Sequence, residues 1–126
     1  MITQTIFLDA PPEKVYECLI NEKKHSEFTN ASAEIIPAVD GDFSVWDGYA
    51  TGKTLELVLN KKIVQSWRAS DWPENVFSTV TFDFLEKDNG TSLTFTQAGV
   101  PEEFEKEIEK GWEDFYWKPL KKYLEK

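Results

Sequence analysis

The fold is decided by two alternating stretches, VFSTVTFDFLE at residues 76–86 and TSLTFTQA at residues 91–98. In both stretches apolar side chains recur at every second position, which is the pattern of a β-strand with one buried face. The connection Asp88-Asn89-Gly90 contains Asn-Gly, a pair that accepts the positive φ angles of a type I′ turn. The sequence therefore predicts an antiparallel hairpin whose turn is formed by Asn89-Gly90.

Further strands are predicted on the N-terminal side of this hairpin. The connections between them, such as Asp47-Gly48 and Asn60-Lys61-Lys62, are short and typical of an antiparallel meander. We expect a sheet of about six or seven strands. The candidate strands are ITQTIFL at residues 2–8, AEII at 33–36, DFSVW at 42–46, KTLELVL at 53–59 and KIVQSWRA at 62–69.

Helices are predicted after the first strand and at the C-terminus. Pro11-Pro12-Glu13 indicates a helix start, and a second short helix is expected over residues 22–28. A long helix is predicted at residues 101–125, with a bend caused by Gly111 and Pro119. Its apolar stripe consists of Phe104, Ile108, Trp112, Phe115, Tyr116, Leu120, Tyr123 and Leu124.

This helix stripe and the apolar face of the sheet each need a partner, so they are expected to bury each other. The predicted fold is therefore α+β: a curved antiparallel sheet wrapped on a long C-terminal helix. A chain of 126 residues suits one domain, and we expect a single domain over residues 1–126.

The overall charge narrows the range of partners. The chain has 23 acidic and 14 basic side chains and a formal net charge of −9. Such a surface repels phosphate backbones and anionic lipid, so neither nucleic acid nor a membrane is expected as a partner. One cysteine allows no intramolecular disulfide, and the N-terminus lacks a signal-peptide pattern, so a cytoplasmic location is expected.

The residue types needed for metal binding or catalysis are scarce. His25 is the only histidine and lies in the polar stretch NEKKHSEF, which predicts a solvated helix face. One histidine and one cysteine cannot assemble a zinc site from soft ligands, and no phosphate-binding glycine motif occurs. Cys18 is expected to pack as a small apolar side chain. We therefore expect no metal, no cofactor and no catalytic residue.

The inward faces of the predicted strands indicate a binding cavity. Alternation directs several apolar rows towards the terminal helix, among them a row of leucines within residues 55–59. Gln65, Ser78 and Gln97 interrupt these rows, as neutral polar groups do in small-molecule sites, and a filled core fits the same pattern. The residues predicted to line the cavity are Tyr49, Gln65, Trp67, Phe82, Phe95, Gln97, Trp112 and Tyr116.

Several motifs occur together in an order that resembles a known family. They are FSVWDGY at residues 43–49, KIVQSWR at 62–68, DWP at 71–73, QAGVP at 97–101, Gly-Trp at 111–112 and Tyr-Trp at 116–117. The chain resembles the family of activators of the heat-shock chaperone ATPase (AHSA-like), in the type of their C-terminal domain. That family belongs to the START-like (SRPBCC) superfamily, so the resemblance implies the helix-grip (START-like, Bet v-like) fold.

The resemblance also implies a function without catalysis. The chain is expected to bind a hydrophobic small molecule between sheet and helix, or to act as a co-chaperone-like module in the stress response. An alternative is a module that docks on a heat-shock chaperone and modulates its ATPase. Eukaryotic members carry an additional N-terminal domain, and nothing in this sequence corresponds to it.

Two further points bear on these alternatives. Exposed Trp46 or Trp72 would serve as docking anchors, although tryptophans that cover the sheet edge or the loop ends are favoured over that interpretation. An enzyme of the cyclase or dehydratase type is a second alternative. It ranks last because no acid or base is predicted on the inward rows.

Overall fold

An antiparallel sheet of seven strands forms the body of the molecule in the computed structural model, which describes residues 1–125. The strands are β1 (Ile2–Leu8), β2 (Glu34–Ile35), β3 (Asp42–Val45), β4 (Ala50–Val58), β5 (Lys62–Ala69), β6 (Ser78–Lys87) and β7 (Gly90–Ala98). Their spatial order is β1-β7-β6-β5-β4-β3-β2. The predicted meander is confirmed from β2 to β7, and β1 joins it by pairing with β7.

Helices precede and follow the meander. Helix α1 covers Pro12–Ile20 and helix α2 covers Glu22–Thr29. The C-terminal helix begins with a 3₁₀ turn and continues as α3 (Glu105–Trp112), a π-helical turn (Glu113–Trp117) and α4 (Lys118–Leu124). The predicted irregularity is therefore a wider turn placed between Gly111 and Pro119. The α+β helix-grip fold is confirmed.

The core lies between the sheet and the C-terminal helix. Phe82 of β6 and Phe95 of β7 are register partners, and their rings pack with the indoles of Trp112 and Trp117. The closest of these pairs, Phe95 and Trp112, has its ring centroids 4.3 Å apart. The helix stripe and the inward rows of β6 and β7 thus bury each other as predicted, except that Phe115 of the stripe is 56% exposed and Trp117, outside the predicted stripe, is buried.

One predicted inward row is wrong. Leu55 and Leu59 are 46% and 73% exposed, whereas Thr54 is fully buried. The register of β4 against β5 shifts between Thr54 and Glu56, which marks a β-bulge. Because a bulge adds one residue to a strand, it interrupts the alternation on which the leucine row was predicted.

The hairpin turn lies one residue earlier than predicted. Positive φ angles occur at Asp88 (51°) and Asn89 (66°), and Gly90 is already the first residue of β7. A Cβ on Gly90 would lie 2.5 Å from the carbonyl oxygen of Leu8, so the close approach of β1 requires glycine there. Gly90 therefore serves strand packing rather than turn geometry.

No helix within residues 1–125 is long and apolar enough to cross a membrane.

Candidate functional site

A cavity of about 370 Å³ opens at one end of the interior, between the C-terminal helix and the sheet. Its walls come from the β3–β4 turn, from β5, from α3 and from the π-helical turn. The sheet side contributes Trp46, Tyr49 and Trp67, and the helix side contributes Glu107, Ile108, Gly111, Trp112, Phe115 and Tyr116. Six of these nine residues are aromatic, so the cavity is lined mainly by ring faces and edges.

The cavity has a buried floor and an exposed rim. Trp67, Trp112 and Tyr116 are buried and form the floor. Phe115 and Tyr49 are 56% and 37% exposed and stand at the rim. A ligand would therefore enter beside these two side chains and contact indole and phenol rings at the bottom.

Trp46 is held in place by an unusual turn. Its φ angle is 55°, a left-handed value that bulky residues rarely adopt. The following residue, Asp47, fixes the turn because its carboxylate accepts a hydrogen bond from the backbone N–H of Ser32 at 2.8 Å. The indole of Trp46 consequently packs edge-on against Phe115, with ring centroids 5.4 Å apart. The turn thus brings an aromatic wall from the sheet to the helix.

A chain of buried hydrogen bonds fixes the indole of Trp112. Its Nε1–H donates to Gln97 Oε1 at 2.8 Å, and Gln97 Nε2 donates to Ser78 Oγ at 2.9 Å. The Ser78 hydroxyl in turn donates to the carbonyl oxygen of Trp67 at 2.8 Å. Each polar atom in this chain has a partner, so Gln97 orients the helix on the sheet and has little capacity left for a ligand.

His25 is buried, and its predicted solvent exposure is wrong. Its Nδ1–H donates to the carbonyl oxygen of Leu19 at 3.4 Å, and its Nε2 lies 3.1 Å from the hydroxyl of Tyr116. Since a carbonyl can only accept, Nδ1 carries the proton and Nε2 accepts from Tyr116. Burial lowers the pKa of His25 to about 4, and hydrogen bonds to the backbone of Leu19 and Cys18 offset part of this effect.

Tyr116 links this histidine to the cavity. The phenol ring lines the cavity floor, and burial raises the pKa of its hydroxyl well above the ordinary value. The hydroxyl is therefore neutral and engaged with His25. Cys18 is also buried and packs as a small apolar side chain, as expected.

The eight predicted lining residues fall into three groups. Tyr49, Trp67, Trp112 and Tyr116 line the cavity. Gln65 and Phe82 border a neighbouring void of about 20 Å³, which also touches His25, and Gln65 Nε2 donates to Thr54 Oγ1 at 3.3 Å. Phe95 and Gln97 are fully buried in packed core. Whether any of the eight binds a ligand stays a prediction.

Some lining residues were not predicted, notably Glu107, Ile108 and Phe115. A signal for them existed, because residues 107, 111 and 115 and residues 108, 112 and 116 recur at four-residue steps along one helix face.

The predicted anchor Trp72 is buried and packs against Trp67, with ring centroids 5.4 Å apart, so it is not an exposed docking residue. Within residues 1–125, no group of three His, Cys, Asp or Glu residues is placed to hold a metal ion.

The family comparison agrees with this architecture. The model for the family described as "Activator of Hsp90 ATPase homolog 1-like protein" matches residues 9–125. The chain belongs to this family.

Curated relatives are about one-third identical to this chain in sequence. The human protein named activator of 90 kDa heat shock protein ATPase homolog 1 is 33% identical over 110 residues, which cover 87% of this chain and 32% of that protein. An uncharacterized protein from Schizosaccharomyces pombe is 32% identical over 120 residues, covering 95% of this chain and 36% of that protein. The chain thus spans about a third of the length of these relatives.

Solved structures share the fold over nearly the whole chain. The HSP90 activator from Plasmodium falciparum has a TM-score of 0.89 at 25% identity and covers 99% of this chain and 97% of that one. The Aha1 dimer from Colwellia psychrerythraea has a TM-score of 0.83 at 23% identity and covers 98% and 95%. A protein of the dynemicin biosynthetic locus also has a TM-score of 0.83, at 16% identity, and shares the fold alone.

Proposed function

We propose that this protein is a co-chaperone-like module, without catalytic activity of its own, that binds an Hsp90-type chaperone. The observation that carries the proposal is the match to the HSP90 activator from Plasmodium falciparum, which covers almost all of both chains. Family membership supports the same function, since the human and mouse relatives are named as activators of a chaperone ATPase.

The acidic surface supports a contact with a basic patch on the chaperone. Exposed carboxylates are concentrated at the beginning of the C-terminal helix, where Glu102, Glu103, Glu107 and Glu109 lie within two turns. Together with the net charge of −9, they favour association with a positively charged surface. Such an interaction weakens as salt rises.

The test is titration calorimetry of the full chain with the Hsp90-type chaperone of its host, together with the chaperone's ATPase rate. We expect saturable binding that weakens with salt and a changed ATPase rate. Glu103→Lys should weaken binding several-fold. Glu86→Lys makes the same charge change at the far end of the β6–β7 hairpin and should leave binding unchanged. Absence of binding even at low salt would rule out the proposed function.

A second candidate function is the binding of a small hydrophobic molecule in the cavity. Its volume of about 370 Å³ is within the range of about 300–1,000 Å³ found for ligand sites, and its lining is mostly aromatic. Native mass spectrometry of protein purified gently from its host should reveal a retained molecule that is released on denaturation. Gly111→Leu should abolish retention by filling part of the cavity, whereas Lys110→Leu, on the outer face of α3, should not.

Enzymatic catalysis has no comparable support. The acceptor nitrogen of His25 is occupied by the Tyr116 hydroxyl, and neither group is left free to exchange a proton with a molecule in the cavity.

A further inference from the structure

The cavity combines aromatic walls with a carboxylate at its rim. Trp46, Trp67 and Trp112 present three indoles, and Glu107 is the single charged residue among the nine lining residues. Glu107 is exposed on α3, one residue before the buried Ile108 of the cavity wall. The site therefore offers electron-rich rings and negative charge in one enclosure.

The charges that act on the rim of the cavity are negative. The hydroxyl of Tyr49 lies within the electrostatic reach of both Asp71 and Glu107, and these carboxylates add to burial in raising its pKa. Asp71 belongs to the loop after β5, so negative charge approaches the entrance from the sheet side as well as from the helix side. A ligand that enters past Tyr49 thus meets the carboxylate of Glu107 and the field of Asp71, which does not itself line the cavity.

Two basic side chains that adjoin lining residues in sequence, Arg68 and Lys110, are directed to other partners. Arg68 donates from its guanidinium to the carbonyl oxygens of Trp72 and Pro73, at 2.9 and 3.1 Å. Lys110 forms an exposed ion pair with Asp114 at 3.8 Å. Neither basic residue lines the cavity. Nothing in the wall therefore neutralises the carboxylate at the rim.

Aromatic enclosures with a nearby carboxylate have a known physical preference for cations. The π face of an indole or phenol ring carries partial negative charge and attracts a cation within about 6 Å of its centroid. Alkylated ammonium groups benefit most, because they are weakly hydrated and their methyl groups contact the rings. Anions would be repelled at the rim, and the Tyr116 hydroxyl already donates its proton to His25.

We propose that the cavity binds a small organic cation with an alkylated ammonium head group, which the three indoles enclose and Glu107 neutralises. This proposal deepens the second candidate function and rests on it. The volume equals that of about twelve water molecules at about 30 Å³ each, which accommodates a trimethylammonium head and a short chain. Ile108 and the bare backbone of Gly111 offer apolar contact for that chain.

The experiment compares choline with 3,3-dimethyl-1-butanol, its neutral isostere, in titrations followed by tryptophan fluorescence. Three lining tryptophans report on occupancy directly. The cation should bind about tenfold more tightly than the isostere. Glu107→Gln should reduce this preference several-fold and leave the affinity for the isostere unchanged. Glu109→Gln, with the same charge change on α3 outside the cavity, should alter neither affinity.

The outcomes separate this proposal from the function on which it rests. Equal affinity for both compounds, or no effect of Glu107→Gln, would overturn the cation proposal while leaving small-molecule binding intact. No binding of either compound, with no molecule retained in native mass spectrometry, would overturn both. A trimethyl-lysine peptide forms a second arm. If it binds more tightly than choline, the cation is carried by a modified protein, and the head-group chemistry is supported.

Discussion

The interior beneath the C-terminal helix has a closed end and an open end. At the closed end, Phe95 and Gln97 are fully buried, and Gln97 is hydrogen-bonded on both sides. At the open end, Tyr49 and Phe115 stand at the rim of a cavity of about 370 Å³. Trp112 belongs to both ends, since its ring packs on Phe95 and also lines the cavity. Residues with the same inward direction therefore differ completely in what surrounds them.

The helix itself explains much of this difference. Next to the closed end, α3 directs Trp112 onto the sheet, where its N–H reaches Gln97. Beside the open end, Gly111 has no side chain, and a Cβ placed there would have no neighbour closer than 3.9 Å. The π-helical turn then begins at Glu113 and carries Phe115 outward. The cavity stays unfilled because Gly111 has no side chain to occupy it and because the wider turn that follows directs Phe115 outward, to the cavity rim.

The largest expected effect compares a phenylalanine from each end. Phe95→Ala should lower the free energy of unfolding by about 4 kcal/mol, because it leaves a hole in packed core. Phe115→Ala should change it by less than about 0.5 kcal/mol, because the ring is more than half exposed. Urea unfolding of both variants measures the contrast. Similar losses in the two variants would mean that the two ends are packed alike.

The next effect concerns pH and the buried histidine beneath the cavity floor. The pKa of His25 is lowered from 6.5 to about 4 in the folded protein, so the unfolded chain binds the proton first as pH falls. Stability contributed by the neutral ring is therefore present above pH 6.5 and is lost between pH 6.5 and 4, by about 3 kcal/mol in total.

Urea unfolding at several pH values checks this expectation when the wild type is compared with His25→Gln. The glutamine keeps an acceptor for the Tyr116 hydroxyl but does not titrate. Carboxylates also titrate in this range, so the informative quantity is the difference between the two proteins. The free energy of unfolding of the wild type minus that of His25→Gln should decrease as pH falls from 6.5 to 4, because only the wild type loses the contribution of the neutral histidine. A constant difference would show that the histidine is protonated, or exposed, in the folded state.

The smallest effect compares two inward glutamines. Gln97→Leu leaves the buried N–H of Trp112 without an acceptor and should cost about 2 kcal/mol of unfolding free energy. Gln65→Leu removes a single hydrogen bond of 3.3 Å to Thr54 and should cost about 1 kcal/mol or less. Thermal or urea unfolding distinguishes them. A larger loss for Gln65→Leu would reverse the assignment of Gln97 as the structural glutamine.

The sequence predicted which side chains point towards the helix. It did not predict how closely the helix packs on each of them. Alternation placed Gln65, Trp67, Phe95 and Gln97 on the inward face, and all four are buried. Alternation contains no information on how closely the helix approaches each of them. The eight predicted lining residues therefore included two that lie in packed core, and the sequence offered no means to separate these from the four that line the cavity.

The errors have equally specific causes. The prediction of an inward leucine row in β4 was wrong because of a bulge near Leu55. This bulge is set by pairing with β5 and has no clear signature in the sequence of β4 itself. His25 was misjudged because its neighbours in sequence are polar, while its hydrogen-bond partner Tyr116 is 91 residues away. In both cases a residue or strand outside the segment itself determined the environment.

The sequence by itself determined the class of fold, the strand order of the meander and the family, because period-two alternation, turn residues and motifs are local properties of the chain. Only the tertiary structure decided which inward residues pack and which enclose space. That outcome depends on the distance between helix and sheet, to which Gly111, the π-helical turn and the Gln97 hydrogen bonds all contribute. A cavity is the space that packed elements leave between them, and no single segment of the sequence specifies it.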